Sequence, residues 1–395
     1  MSLRWLTLPR LVTLFIIILT GAGFQKYLMG SFNNYLMFSK PFQNLLLNQS
    51  IYGLYPDLYD DNYKYSPTFA WLMGPFYYAP TGLGVFFWNL INSAVLALGV
   101  WLYLDGEEDA ARKRWMALLI ILPEALVTAQ NMQSNNLIVG AILLGLYQLR
   151  NERVWQAAFC FVLCGFIKFY GITAALFFIF YPKKPQFLLA MSVWTVVFAL
   201  APITLIPFSS LLNEYQEWFK VVMVSTLGRL VSVMGILEVW FGMAKTDANL
   251  RVVETVGIVL FLLPFLRFRL WSNGLFQRRM IAYFLLFIIL FNKMAESPTY
   301  VLAVTGVALW WLTLDSPTRL DWVLLLTVLV FTSLSPTDLF PRFIRSEFFV
   351  PYRIKAVGGV LVWGKLQWGL WTQPADDQIK MTSSSTSAPI SRLMS

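Results

Sequence analysis

The chain has 395 residues, of which 58% are hydrophobic, 17% aromatic and only 13% charged. Soluble domains carry about 25% charged residues, and one compact core cannot hide this much apolar surface. The composition therefore excludes a disordered or collagen-like chain and an ordinary soluble enzyme, and it points to a polytopic membrane protein. Histidine is absent, which excludes His-based catalysis, His-ligated haem and the usual zinc sites. The formal net charge of +9 is spread over short connections. It reads as the positive loops of a membrane protein, with no nucleic acid as partner.

A spanning helix needs about 20 apolar residues. The first candidate covers residues 11–29, behind Arg4 and Arg10. Gly21-Ala22-Gly23 could serve as a signal-peptide cleavage site, but the apolar run continues past it, which favours an uncleaved first helix. Residues 31–66 form a long polar segment holding Asp57, Asp60 and Asp61. Residues 67–79 are apolar but short, bounded by Pro67, Pro75 and Pro80, and suit a helix in the interface or a re-entrant piece. Further spans are expected at 81–104, 115–129, 135–149, 154–167, 169–181 and 187–208. A second long segment occupies 209–251, and the last spans fall at 252–266, 279–291, 299–314, 322–334 and 356–371. The fold class is thus all-α, a transmembrane helix bundle of about twelve spans. Cys160 and Cys164 lie four apart on one helix face, where packing explains them without a disulfide. Residues 372–395 hold Ser383-Ser384-Ser385 and few apolar residues, the composition of a disordered tail.

The charges set the sides. Arg112-Lys113-Arg114, Arg150 with Arg153, Lys183-Lys184, and Arg267, Arg269, Arg278 and Arg279 all fall in short connections. With twelve spans and an inside N-terminus, every one of these clusters lies in the cytoplasm, as the positive-inside bias requires. Both termini are then cytoplasmic, and a single domain, 1–371, sits in the cell (inner) membrane. The two long loops, about 31–80 and 209–251, face outward and carry interfacial helices.

The first outer loop ends Tyr52-Gly53-Leu54-Tyr55-Pro56-Asp57-Leu58-Tyr59-Asp60-Asp61-Asn62-Tyr63-Lys64-Tyr65-Ser66-Pro67. Carboxylates can take a proton from a hydroxyl nucleophile, tyrosines can stack on sugar faces, and a lysine can hold a phosphate. A solvated acidic loop with interfacial tyrosines accounts for the same residues. Asn131-Met132-Gln133-Ser134-Asn135-Asn136 forms an amide-rich outer turn, suited to sugar hydroxyls or to capping the next helix through Ser134 or Asn135. Lys168 interrupts an apolar run; such a lysine either snorkels to the interface or meets an anion. Glu124, isolated beside Pro123, is either functional or paired within the bundle. The last outer connections carry Lys293, Glu296 and Tyr300, then Asp338, Arg342, Arg345, Arg353 and Lys355. These arginines suit bidentate phosphate contact or interfacial anchoring. The sequence holds no Walker loop, dinucleotide fingerprint, CxxC pair or HExxH motif.

The order of these features resembles glycosyltransferase family 87, within the wider GT-C fold. The resembling pieces are the first helix and its long outer loop ending Tyr63-Lys64-Tyr65-Ser66-Pro67-Thr68-Phe69, and the aromatic run to Ala79-Pro80. Gln133-Ser134-Asn135, Ile167-Lys168 and Ser232-Val233-Met234-Gly235-Ile236-Leu237 follow. Each motif is short, and only their order, over most of residues 10–310, is specific. The resemblance implies transfer of a hexose, mannose-like, from a polyprenyl-phosphate donor to a lipid or glycan acceptor of the cell envelope. It also implies inversion and an acidic base in the first outer loop. The family commonly has an acid soon after the first helix, where this chain has Asn33-Asn34, and an amide cannot take the proton. The base then comes from Asp61, Asp60 or Asp57, with Asp61 the first choice. Lys64, Lys168, Arg342 and Arg345 are expected to hold the donor phosphate; Tyr63, Tyr65, Gln133, Asn135 and Glu296 are expected on the sugar or acceptor. No cofactor is expected, although the aspartate cluster could take a divalent cation. A transporter or flippase of a lipid-linked or polar solute is the rival class. It predicts charges near the midplane and symmetric halves, whereas this chain concentrates its polar detail in two outer loops.

Overall fold

The computed structural model describes residues 8–223 and 230–374, and among these the chain is helical, with no strand. Helix α1 (Leu8–Leu28) is followed by the short α2 (Asn33–Ser39) and α3 (Pro41–Leu46) of the first loop. Then come α4 (Pro67–Leu72), α5 (Gly74–Tyr78), α6 (Thr81–Tyr103), α7 (Ala110–Gln130), α8 (Asn135–Arg150) and α9 (Val154–Ile167). A 3₁₀ stretch covers Phe169–Phe180. Next are α10 (Lys184–Leu200), α11 (Phe208–Met223), α12 (Val233–Phe241), α13 (Asp247–Leu262), α14 (Gly274–Leu290) and α15 (Tyr300–Trp311). The chain closes with α16 (Arg319–Thr327), a π-helical stretch at Val328–Leu334, α17 (Arg342–Ile344) and α18 (Ile354–Thr372).

All twelve segments expected as spans are helical. Four are long and apolar enough to cross a bilayer on their own: Pro9–Leu28, Thr81–Tyr103, Lys184–Thr204 and Asp247–Leu266. The apolar helices Val154–Ile167 and Phe169–Phe180 are shorter. The outward faces are those of a protein solvated by hydrocarbon. Ile17 on α1, Leu189 and Val196 on α10, and Val252, Val256 and Val259 on α13 are all exposed, and only an apolar solvent accepts such continuous patches. The interior is built around α15, whose every residue is buried.

Close backbone approach holds the bundle at α6 and α8. A Cβ added at Gly99 would run into the backbone of Gly140, and one at Gly140 into that of Val95. Small residues facing each other let dispersion contacts replace the hydrophobic driving force that lipid removes. The interior also contains a buried ion pair. Glu124 on α7 meets Lys355 on α18, and the lysine donates to Thr332 O at 3.1 Å and lies over the Tyr300 ring. Glu124 is therefore paired within the bundle, the second of its two readings.

The two ends of the bundle differ. At one end Arg114 pairs with Asp105, Arg278 and Lys113 share Glu107, Arg150 donates to Asp105 O, and Lys183 pairs with Glu152. The basic connections thus gather on one side, as their charge bias requires. The two long loops gather at the other end, reached by α8, about 24 Å long at 1.5 Å per residue.

Two loop expectations change. Residues 67–79 form two short helices broken at Met73, before Gly74-Pro75, and Pro67 through Ala70 are buried in protein. The buried half is anchored by Ser66, which caps α4 by accepting from Phe69 N. In the second loop, helix begins at Asp247 instead of residue 252, because Thr246 caps it by accepting from Asn249 N. The tail from residue 375 on, Arg4, and residues 224–229 of the second loop lie outside the described residues.

Candidate active site

Lys168 stands where α9 stops and the 3₁₀ stretch begins, in extended conformation. Its Nζ donates to Asn135 Oδ1 at 2.8 Å and reaches Gln133 Oε1 at 3.5 Å. It lies 5.9 Å from the centroid of the Tyr65 ring, within range of a cation–π attraction. The Tyr65 hydroxyl donates to Gln133 Oε1 at 3.4 Å, and the Tyr170 hydroxyl to Asn135 Oδ1 at 3.4 Å. Asn135 is itself fixed, since its Nδ2 donates to Pro298 O at 3.0 Å. The lysine neither snorkels to the surface nor finds a carboxylate in contact; two neutral amides hold it. Capping does not explain the amide turn either. Ser134 occupies the N-cap position of α8 without a side-chain cap bond, and its Oγ is buried and unpartnered, while Asn135 turns its side chain toward Lys168.

Lys168, Tyr65, Tyr170, Lys64, Glu296, Lys293 and Glu254 line a cavity of about 490 Å³. Trp218, Val221 and Val222 of α11, Ile258 of α13, and Phe287 and Phe291 add an apolar wall. The Tyr-rich loop is tied to this place by Ser66, which donates to Phe166 O at the end of α9, and by Tyr52, which donates to Tyr65 O at 2.8 Å. Burial pulls the Lys168 ammonium down to about 8; Glu296 opposes this and Lys64 reinforces it. Burial pushes the Tyr65 phenol well above its ordinary range, so it stays a neutral donor.

The expected site residues divide. Lys64, Tyr65, Lys168 and Glu296 line the cavity, with Gln133 and Asn135 directly behind Lys168. Asp61 is exposed and does not line the cavity, but stands 3.9 Å from Lys64, which does. Asp60 and Asp57 are exposed on the loop and do not line the cavity; Asp60 N donates to Asn33 Oδ1 at 2.9 Å. Tyr63 is enclosed in the loop's own core, donating to Ser66 O and packed on Tyr65 and Tyr52. Arg342 and Arg345 stand apart from the cavity, Arg345 pairing with Asp338 at 2.7 Å. The amides after the first helix have structural partners, because Asn34 Nδ2 donates to Asn131 O at 2.9 Å. Sequence reasoning missed Glu254. Its signal was the one Glu124 carried, a carboxylate inside an apolar run.

The pattern of glycosyltransferase family 87 matches residues 63–336, more than half of the sequence. The chain belongs to glycosyltransferase family 87. It is a membrane glycosyltransferase, which uses a sugar donor and an acceptor. No curated protein matches it. The family match begins at Tyr63 and ends at Pro336, so it includes every residue that lines the cavity and leaves out Asn33-Asn34, the three loop aspartates, Arg342 and Arg345.

Proposed function

We propose that this family 87 glycosyltransferase moves a hexose, mannose-like, from a polyprenyl-phosphate donor to an acceptor hydroxyl at the extracytoplasmic face. The observation that carries this reading is the convergence of Lys168, Lys64 and Lys293 on one cavity with an apolar wall. Three cations suit a phosphate, and the apolar wall suits a prenyl chain. The donor phosphate binds between Lys168 and Lys64. The amides of Gln133 and Asn135 hold Lys168 in place without neutralising it, so its charge remains for the anion. Tyr65 and Glu296 orient the sugar and the acceptor. A lipid-linked donor needs no nucleotide pocket, in keeping with a sequence that carries no nucleotide signature.

The acceptor oxygen attacks the anomeric carbon as the bond to the lipid phosphate breaks, its electron pair leaving with the phosphate. One displacement gives inversion. Asp61, beside Lys64, takes the acceptor proton as it is lost. The protein acts in the cell membrane with the basic end of the bundle in the cytoplasm, on the charge bias of its connections. The reaction uses no cofactor.

The test is incubation of the purified protein, in lipid bilayers, with radiolabelled prenyl-phosphate hexoses and a cell-envelope lipid extract as acceptor source. Label should move from the prenyl phosphate to an acceptor with inverted anomeric configuration. Transfer from sugar nucleotides alone would overturn the lipid donor, and retained configuration would overturn the single displacement.

A further inference from the structure

A second cavity, of about 160 Å³, lies between the end of the first loop's helical part and the start of α11. It is lined by Asn48, Gln49, Ile206, Ser210, Asn213 and Glu214. Five of these six are polar and none is basic, so the chemistry is opposite to that of the large cavity and unsuited to phosphate. Glu214 and Ile206 form the floor, at 8% and 4% exposure, while Asn48, Gln49 and Asn213 are exposed at the rim.

The floor carboxylate is held by the backbone of Ile51 and the side chain of Ser50 but has no cation beside it. Glu214 accepts from Ile51 N at 3.1 Å, and among the described residues no lysine or arginine pairs with it. A buried carboxylate without a cation is costly, and burial pushes its acid upward. Both cavities take lining residues from α11. Asn213 and Glu214 lie one turn of α11 before Trp218, which lines the large cavity. Tyr52, close enough to Glu214 to sense its charge, donates to Tyr65 O.

We infer that this polar pocket is a carbohydrate subsite, which takes one pyranose ring of the acceptor while the reacting hydroxyl sits in the large cavity. Amides both donate and accept, a hydroxyl does both, and a carboxylate accepts twice, which is the set that ring hydroxyls require. One ring fits a space about a third the size of the main cavity. The inference rests on the glycosyltransferase reading and names its acceptor class: a glycan or glycolipid, with at least one sugar beyond the acceptor hydroxyl.

The test reads binding without turnover. The full chain in lipid nanodiscs is mixed with methyl pyranosides of gluco, manno and galacto configuration at millimolar concentration, and saturation transfer to each is measured by NMR. At least one should receive saturation. Its signal should fall at least fivefold in Asn213→Leu and in Gln49→Ala, and stay within twofold in Lys168→Ala. Both rim residues are exposed, and unchanged melting would show that the variants fold. No saturation with any pyranoside, or wild-type signals in the two rim variants, would remove the subsite. Loss in Lys168→Ala would move the ligand to the large cavity and also remove it. Label transfer from prenyl-phosphate hexoses is scored separately, so a failed pyranoside test leaves the transferase reading standing, and failed transfer leaves pyranoside binding readable.

Discussion

Lys355 Nζ and Glu124 Oε1 stand 2.5 Å apart although 231 residues separate them, and both side chains are buried. The pair ties α7 to α18 and presents no charge to the cavity. The second oxygen of Glu124 has no hydrogen-bond partner, so the lysine is its main compensation. Removing one member of a buried pair costs about 3–5 kcal/mol, whereas replacing both with apolar residues is often neutral. Lys355→Met and Glu124→Leu should each lower the melting temperature sharply in detergent, and the double variant should recover most of the loss. Additive losses would mean that the two charges are not coupled.

Lys168 is held by two amides, and its loss should act on donor binding. A charge-assisted hydrogen bond contributes about 1.5–3 kcal/mol, so Lys168→Ala should weaken prenyl-phosphate-sugar binding by about 10- to 150-fold. Asn135→Leu, which removes the 2.8 Å acceptor, should weaken it less. Isothermal titration in nanodiscs measures both; unchanged donor affinity in Lys168→Ala would remove it from the phosphate site.

The same lysine sets a pH limit. Burial places its free-site value at about 8, below the ordinary lysine value of 10.5. The protonated form, which binds phosphate in the proposed mechanism, dominates at pH 7 and is lost as the pH rises through about 8. kcat/KM reports the free enzyme, so it should fall on that alkaline limb. A bound phosphate favours the ammonium, so kcat should hold to higher pH. In Lys168→Arg the limb should disappear, because a guanidinium stays charged. A limb that persists in the arginine variant would belong to another group.

Asp61 differs from its neighbours by standing 3.9 Å from Lys64, a cavity residue. Loss of a general base costs about 10²–10⁴-fold. Asp61→Asn should lower kcat by that factor with little change in melting, since exposed pairs contribute about 0–1 kcal/mol. Asp57→Asn and Asp60→Asn should stay within about threefold of wild type, a small fraction of a catalytic loss. Initial rates of label transfer decide this, and wild-type turnover in Asp61→Asn would remove Asp61 from the mechanism.

Gly140 lies five residues after Asn135 on α8, where a Cβ would meet the backbone of α6. Gly140→Val should push the helices apart, lower the melting temperature and reduce donor affinity together, because Asn135 moves with its helix. Overpacking of this kind costs about 1–3 kcal/mol. Unchanged melting would show that the interface has slack.

Much of the chain was legible without the fold, and for one reason: hydrocarbon as solvent demands long apolar helices and expels charge, so composition and run length report membrane helices directly. The exceptional residues were legible too, because Lys168 and Glu124 break apolar runs. The roles of those two residues were not legible. One faces a cavity and the other is neutralised inside the bundle, and that depends on whether Asn135 or Lys355 arrives opposite them, over separations of 33 and 231 residues. Tyr63 and Tyr65 are two apart and chemically alike, yet only Tyr65 lines the cavity, because Tyr63 is enclosed between Tyr52 and the backbone of Ser66 in the loop's own core. Arg342 and Arg345 carry the right chemistry for phosphate, but they stand apart from the cavity. A linear pattern states which groups are costly to bury; only the packing of distant helices determines which of those groups meet.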